Sequence, residues 1–588
     1  MRKGIAVSPG VAIGTAYVIS EIFVNPDTKR LEEREITAEL AQYETARDKA
    51  AADLRALQHK VYHQLGREAA AIFSVHESIL RDAAFTNKVR GWIVNDRLTA
   101  QAALHRLMDE YTVLFTKTTD EYLRERVTDV RDVIVRLSSH LTDVLKPESQ
   151  ALQGPIIIVA DELLPSQAVV FGDLEVCGIV TQAGSQTSHA AIIARSRGIP
   201  AVSGVRGVLR QVKTGDTLVV DGREGHVLVN PQPEIKSAYR KLEREFFLLR
   251  DQLAANRDQP ARTADGVDLQ LLANINSVAD ARAAVAMGAQ GIGLFRTEYL
   301  YLTHHDIPDE QEQYEAYCQI IAASPNHQVT IRTLDIGGDK TVPYLGHHYQ
   351  EANPFMGWRS IRLSFEHPEF FMTQIRAILR SAAHAQQLGG EVKMMFPMIT
   401  AVEELRRLRA MVRKCATQLR ERGDTFQADV PLGMMLEVPA AALTIDAMLP
   451  HVDFVSIGSN DLVQYLMAAD RDNPKVSHLC QPLSPAVLQV LRRVIRACRR
   501  GGKPLTLCGE MAAQPRAFLL LVAMGLTSFS MSPAFIPSMK ELTHHLLLPD
   551  LQHVLRKALR LPTTTRVKRY MEKQLHRIAP NLSLLDTA

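Results

Sequence analysis

Arg296, Arg332, Arg359 and Arg471 stand at the ends of short apolar runs or in the loops that follow them. A guanidinium presents a rigid fork of donors that matches carboxylate or phosphate oxygens. One arginine in a loop is usually a solvated surface charge, but four at related positions suit a single anion of several charges. Glu437 closes the run 432–437 and Asp461 follows the run 454–459, so two hard oxygen ligands can meet at neighbouring positions. Mg²⁺ takes one or two such carboxylates and fills its shell with water and substrate oxygens. A helix N-cap for Asp461 and a buried ion pair for Glu437 are the alternatives, and spacing does not choose between them. Cys508 lies beside Glu510 on the run 505–510; a buried inert thiol is the ordinary reading unless it faces a pocket. His189 stands in "AGSQTSHAAIIARSRGIPAV" (183–202), where an amphipathic helix is expected to begin. Thr187 and Ser188 can serve there as caps. An anion carried on the ring would also meet free N–H groups and the positive end of the helix dipole. Small residues (Ala183, Gly184, Ala190, Ala191) leave the ring accessible, and a neutral imidazole nitrogen is a competent nucleophile.

The elements that must hold these groups are legible as alternation. Strand-like runs at 269–274, 291–295, 329–334, 392–397, 432–437, 454–459, 505–510 and 529–533 are separated by helical stretches, the pattern of a (β/α)₈ barrel. An open doubly wound sheet would need a glycine-rich phosphate turn after its first strand, and none is present. Asn274, Arg296, Arg332, Asp335, Glu437, Asn460, Asp461, Cys508 and Glu510 fall at or just past the strand ends, which in a barrel is the active-site face. The loop "TLDIGGDK" (333–340) can bring backbone N–H groups close to a ligand.

Before the barrel, Glu32 to Leu145 is rich in Ala, Leu, Glu and Arg at helical spacing and nearly free of Gly and Pro. β-branched runs flank it on both sides, so a small α/β domain interrupted by helices is expected. Within the helices, "IFSVHESIL" (72–80) carries a stripe of Ile72, Phe73, His76 and Leu80; such a stripe is usually core, though a docking face is the alternative. Residues 234–256 read as one exposed connecting helix of mixed charge. With 588 residues the chain exceeds a single core, and a net charge of +3 lacks the positive field of a nucleic-acid binder. The six cysteines show no metal-ligand spacing and fit free thiols in a reducing cytoplasm. Pro9 and Gly10 interrupt the first residues, so no signal peptide is expected. The longest apolar run, 517–526, is too short to enter a membrane as a span.

Over nearly its whole length the chain resembles enzyme I of the phosphoenolpyruvate-dependent sugar phosphotransferase system. "TSHAAIIARSRGIPAV", "GLFRTEYLY", "RTLDIGGDK", "NPFMGWRSIR", "GMMLEVPAA", "SIGSNDLVQY", "QPLSPAVL" and "LCGEMAA" carry the resemblance, in the family's order. It implies a multidomain α/β protein. Residues 1–25 and 146–232 would form a swivelling phosphohistidine domain, 26–145 a helical insert that binds the phosphocarrier HPr, and 233–262 a linker helix. Residues 263–588 would form a phosphoenolpyruvate-binding barrel that dimerises. The resemblance further implies that His189 takes the phosphoryl group on Nε2 and passes it to HPr. Arg296, Arg332, Arg359, Asn460, Asp461 and Arg471 would bind phosphoenolpyruvate, Glu437 and Asp461 would hold Mg²⁺, and Cys508 would protonate the enolate to pyruvate. Two departures stand out: Gly184, Ser185 and Gln186 replace a common Gly-Gly-Arg, and Gln167 and Ala168 replace the Glu-Thr of a common Pro-Ser-Glu-Thr. A regulatory, nitrogen-type phosphorelay is therefore the first alternative and a non-catalytic scaffold the second. A pyruvate phosphate dikinase or phosphoenolpyruvate synthase would need a nucleotide loop that residues 1–150 do not offer.

Overall fold

The computed structural model describes residues 2–8, 10–19, 30–65, 67–116, 121–142, 154–163, 175–183, 194, 199–302, 307–337, 351, 353–471, 473, 475–580 and 582. The chain divides into two compact units between Leu248 and Leu249.

The first unit contains an eight-stranded sheet of β1 (Arg2–Lys3), β2 (Ile5–Ser8), β3 (Val11–Val18), β4 (Ile156–Ala160), β5 (Val176–Thr181), β6 (Ala201–Ser203), β7 (Thr217–Asp221) and β8 (His226–Val229). Their order is β1-β8-β7-β3-β4-β5-β6-β2. β3 and β4 are parallel neighbours, Thr15 opposite Ile156, although the helices lie between them in sequence. That pairing makes the helical stretch an insertion within one sheet. β4 reads "IIIVA" and is buried throughout because both faces are covered. Ile157 and Val159 join one apolar cluster and Ile158 another, as the two-residue period of a strand requires.

The described residues of the insertion form five helices: α1 (Ile36–Leu65), α2 (Arg67–Arg81), α3 (Ala83–Asn95), α4 (Ala100–Thr116) and α5 (Glu121–Thr142). The start of α3 shows why it begins where it does: the Asp82 side chain accepts from the Phe85 N–H. Phe85, Val89 and Ile93, four apart, then give it a buried face. Phe73, His76 and Leu80 are likewise buried in the bundle, so this part of the 72–80 stripe is core. The ring of His76 lies 3.8 Å from the Asp132 carboxylate. α6 (Pro233–Ala255) is largely exposed on its described side chains, as its mixed charge predicts, with one face turned to the sheet. Tyr239 and Leu242 pack on Val11, Val219 and Leu228, and the Glu243 carboxylate accepts the Ile13 N–H at 3.2 Å.

The second unit is a closed barrel of eight parallel strands: β9 (Gln270–Ile275), β10 (Ile292–Arg296), β11 (Gln328–Arg332), β12 (Glu391–Phe396), β13 (Leu432–Leu436), β14 (Phe454–Ile457), β15 (Leu505–Cys508) and β16 (Ser528–Met531). Each predicted run falls on one of them. β15 stops at Cys508 rather than 510 because Glu510 opens a short 3₁₀ helix, its N–H held by Asn460 Oδ1 at 3.0 Å. Among the described residues no helix is long and apolar enough to cross a membrane.

Candidate active site

The C-terminal ends of the barrel strands carry a buried chain of alternating charge. Arg332, the last residue of β11, donates to Glu298 Oε1 at 2.8 Å and lies 2.9 Å from Asp335 Oδ2. Arg359 Nη2 reaches Asp335 Oδ1 at 2.9 Å and Asp461 Oδ2 at 3.4 Å. Arg471, on the more open side, holds Asp461 Oδ1 at 2.7 Å. Three of the four sequence-selected arginines are thereby joined through two carboxylates. The protonation states follow from this pairing. Burial alone would depress Arg332 and Arg359, but Glu298 and Asp335 at the first, and Asp335 and Asp461 at the second, hold both above the ordinary arginine value. Burial works against the Asp335 anion too, yet Arg332 and Arg359 outweigh it and keep that carboxyl well below the usual carboxylate range.

Arg296 differs. It ends β10 half-buried and makes no hydrogen bond or ion pair among the described residues. Burial and then the like charge of Arg332 push its pKa down. Arg332 Nε and Arg359 Nε are also buried without a hydrogen-bond partner there. Donors left in this way are suited to an incoming anion.

Backbone geometry places these groups. Gly337 (φ 109°) pairs with Arg359 across an isolated bridge, and a Cβ there would come 2.4 Å from the Trp358 carbonyl oxygen. The glycine loop therefore seats Arg359 by close backbone approach. Residues 338–340 of this predicted ligand-binding loop lie outside the described residues. Ser360 (φ 56°) and Met398 (φ 56°) adopt left-handed backbone that their residue types disfavour. Both serve the site: the Ser360 hydroxyl donates to Asp335, and the Met398 N–H donates to Glu437 Oε1 at 2.6 Å.

Glu437, 2% exposed, is in no ion pair among the described residues. Burial, then Asp461 and Asp335, raise its pKa. Asp461 lies within the first turn of the helix Ser459–Met467, whose N-cap is Gly458. Neither the N-cap nor the buried ion-pair alternative describes these two acids. A Cβ on Gly458 would come 2.8 Å from Glu437 Oε2, so only glycine leaves that oxygen its space. Two hard carboxylates, one of them buried without a cation, fit Mg²⁺. No group of three or more candidate metal ligands occurs among the described residues.

Cys508 faces the barrel interior with Leu294, Met395, Met435 and Phe454. It accepts a hydrogen bond from the Ser456 hydroxyl at 3.0 Å. Burial pushes the thiol up to about 11, with Ser456 partly offsetting it. The thiol is thus protonated at neutral pH. Cys508 is expected to resist iodoacetamide at pH 7.5 while half-exposed Cys318 and Cys480 react, as peptide mapping would read. Asn460 Nδ2 lies 3.5 Å from Glu510 Oε1 at the same end of the barrel. His189 and the changed positions 167, 168 and 184–186 lie outside the described residues; β5 (Val176–Thr181) stands between the two stretches.

Sequence reasoning missed Glu298, Ser360 and Tyr465. Glu298 sits two residues after Arg296 inside the block "GLFRTEYLY", a signal that could have exposed it. Tyr465 accepts from Arg359 Nη1 at 3.5 Å and donates to the Phe355 carbonyl, and it closes the block "SIGSNDLVQY", a signal of the same kind.

Comparison with known proteins bears on the whole chain. Residues 250–547 match the PEP-binding domain of PEP-utilising enzymes, 3–126 their N-terminal domain and 152–225 their mobile domain. The chain is 38% identical to the phosphoenolpyruvate-protein phosphotransferase of Staphylococcus carnosus, over 97% of this chain and 98% of the relative. It is 37% identical to that of Haemophilus influenzae, over 98% and 99% respectively, and 38% identical to that of Listeria innocua, over 97% and 98%. Alike to these relatives from end to end, and built on the parallel barrel described above, the chain belongs to the phosphoenolpyruvate-protein phosphotransferase family.

Proposed function

We propose that the chain transfers the phosphoryl group of phosphoenolpyruvate to its own His189 and from there to a histidine of an HPr-type carrier, releasing pyruvate. The observation that carries this reading is the strand-end array in which Arg296 has no partner among the described residues, beside the paired Arg332. Such an arrangement serves an anion better than it serves the fold. Arg296, Arg332, Arg359, Arg471 and Asn460 bind the carboxylate and phosphoryl oxygens and orient the substrate. Arg471, whose side chain is 36% exposed, exchanges Asp461 for substrate oxygens. Glu437 and Asp461 hold Mg²⁺, which when bound neutralises charge on the phosphoryl group. The P–O bond of phosphoenolpyruvate breaks as the P–N bond to His189 Nε2 forms. Cys508 then gives its S–H proton to the enolate carbon, and the product is pyruvate. Residues 1–25 and 146–232 act as the phosphohistidine domain, 26–145 as the carrier-binding insert and 263–588 as the catalytic and dimerising barrel, joined by a linker at 233–262, in a cytoplasmic homodimer.

Incubation with Mg²⁺ and ³²P-labelled phosphoenolpyruvate tests the reading. Acid-labile label is expected on the wild type, discharged by HPr, and absent from His189→Ala. Equal label on the variant would overturn the assignment of the nucleophile. Label that forms but is not discharged by HPr would favour the regulatory relay with a different carrier.

A further inference from the structure

The inside of a (β/α)₈ barrel is ordinarily filled by branched apolar side chains. In this barrel one layer is hydroxylic. Ser456 on β14 is in register with Thr506 on β15, Thr506 with Ser528 on β16, and Ser528 with Gln270 on β9. Thr506 Oγ1 lies 2.9 Å from Ser528 Oγ, and the Ser528 hydroxyl donates to Gln270 Oε1 at 3.1 Å. All four residues line a cavity of about 200 Å³ together with Thr330 and Lys393. That is room for about six waters at ~30 Å³ each, in polar surroundings that can hold them. Gln270 and Glu391, the first residues of β9 and β12, are exposed and line the cavity at the N-terminal ends of the strands, opposite the site described above. Ser456, 1% exposed, lines its inner end, and its hydroxyl is the group that donates to Cys508 Sγ.

This arrangement answers a need of the reaction. A thiol that has given its proton to an enolate must regain one before the next turnover. Cys508 is 4% exposed even before substrate covers it. We propose that Ser456 relays protons from water in the basal cavity to Cys508, so that the acid is recharged from the end of the barrel opposite the substrate. The inference rests on Cys508 as the proton donor. In the forward step the S–H bond breaks and the proton goes to the enolate carbon, leaving a thiolate. The Ser456 O–H bond then breaks as S–H re-forms, and Oγ takes a proton from a cavity water. The hydroxide left behind is reprotonated from bulk water along the hydroxylic layer. One proton passes from solvent to sulfur and nothing is oxidised or reduced.

Two isotope measurements separate resupply from chemistry. Exchange of ¹⁴C between pyruvate and phosphoenolpyruvate returns the same proton to and from Cys508, so it needs no resupply. Release of tritium to water from methyl-tritiated pyruvate does need it. Ser456→Ala is expected to lower the ratio of tritium release to ¹⁴C exchange by about 10-fold or more, on the scale of a lost proton-transfer group. Ser456→Thr, which keeps a hydroxyl, should retain the wild-type ratio, and Thr506→Val should lower it less than Ser456→Ala. Partial unfolding or a purely structural role lowers both rates together and leaves the ratio alone. A wild-type ratio in both Ser456→Ala and Thr506→Val, with both rates lost in Cys508→Ala, overturns the relay while sparing Cys508. Wild-type rates in Cys508→Ala overturn the proton-donor reading and the relay with it.

Discussion

Replacing Arg296 with methionine is expected to lower kcat/KM for phosphoenolpyruvate by about 10²–10³-fold, the usual loss when a preorganised charge-stabilising donor is removed. The same change is expected to leave the barrel as resistant to urea as the wild type, or more so. Both halves follow from one observation. Arg296 is half-buried at the end of β10, makes no hydrogen bond or ion pair among the described residues, and is disfavoured by burial and by Arg332. A cation kept at such a place costs stability, and methionine fills much of its stem volume without the charge. Activity and the urea midpoint should therefore move independently, or in opposite directions. A variant that unfolds more readily yet keeps its kcat/KM would show that Arg296 supports the fold and not the anion.

The barrel was legible because each of its strands is a short apolar run bounded by glycine, proline or charge, and because a parallel sheet buried on both faces tolerates little else. The site was legible for a related reason. A charge that ends an apolar run, as Arg296, Arg332 and Glu437 do, is costly unless it has work to do. What the sequence hid was pairing across distance. Arg332 meets Glu298 from 34 residues away and Arg359 meets Asp461 from 102, contacts that exist only once the strands close into a ring. The same holds for the neighbouring of β3 and β4, and for the Ser456 hydroxyl that reaches Cys508 through the register of β14 and β15. The left-handed backbone at Ser360 and Met398 leaves no trace in residue type, since glycine or asparagine is what such a conformation would predict.

Asp335→Asn is expected to cost the barrel about 3–5 kcal/mol at pH 7, the scale of breaking a buried ion pair from one side. Asp335 is 5% exposed and is the shared anion between Arg332 and Arg359, so neutralising it leaves two buried guanidiniums facing each other. The pH dependence separates this account from one of simple packing. In the folded protein the Asp335 carboxyl titrates below its unfolded value of about 3.9. As pH falls the unfolded chain binds the proton first, so the contribution is complete above about pH 5 and drains away as pH passes down through 3.9 toward the lower folded pKa. The stability gap between wild type and Asp335→Asn should be flat from pH 8 to 5 and should narrow below about pH 4. Trp358 lies in the barrel and Trp92 in the helical insertion, so urea unfolding followed by fluorescence in a Trp92→Phe background reports the barrel alone. A gap that stays constant through pH 3 would mean that asparagine's shape, and not the lost charge, carries the cost. Wild-type stability for the variant at pH 7 would mean that Glu298 and Asp461 alone suffice to hold the two arginines, and that Asp335 is kept for positioning them.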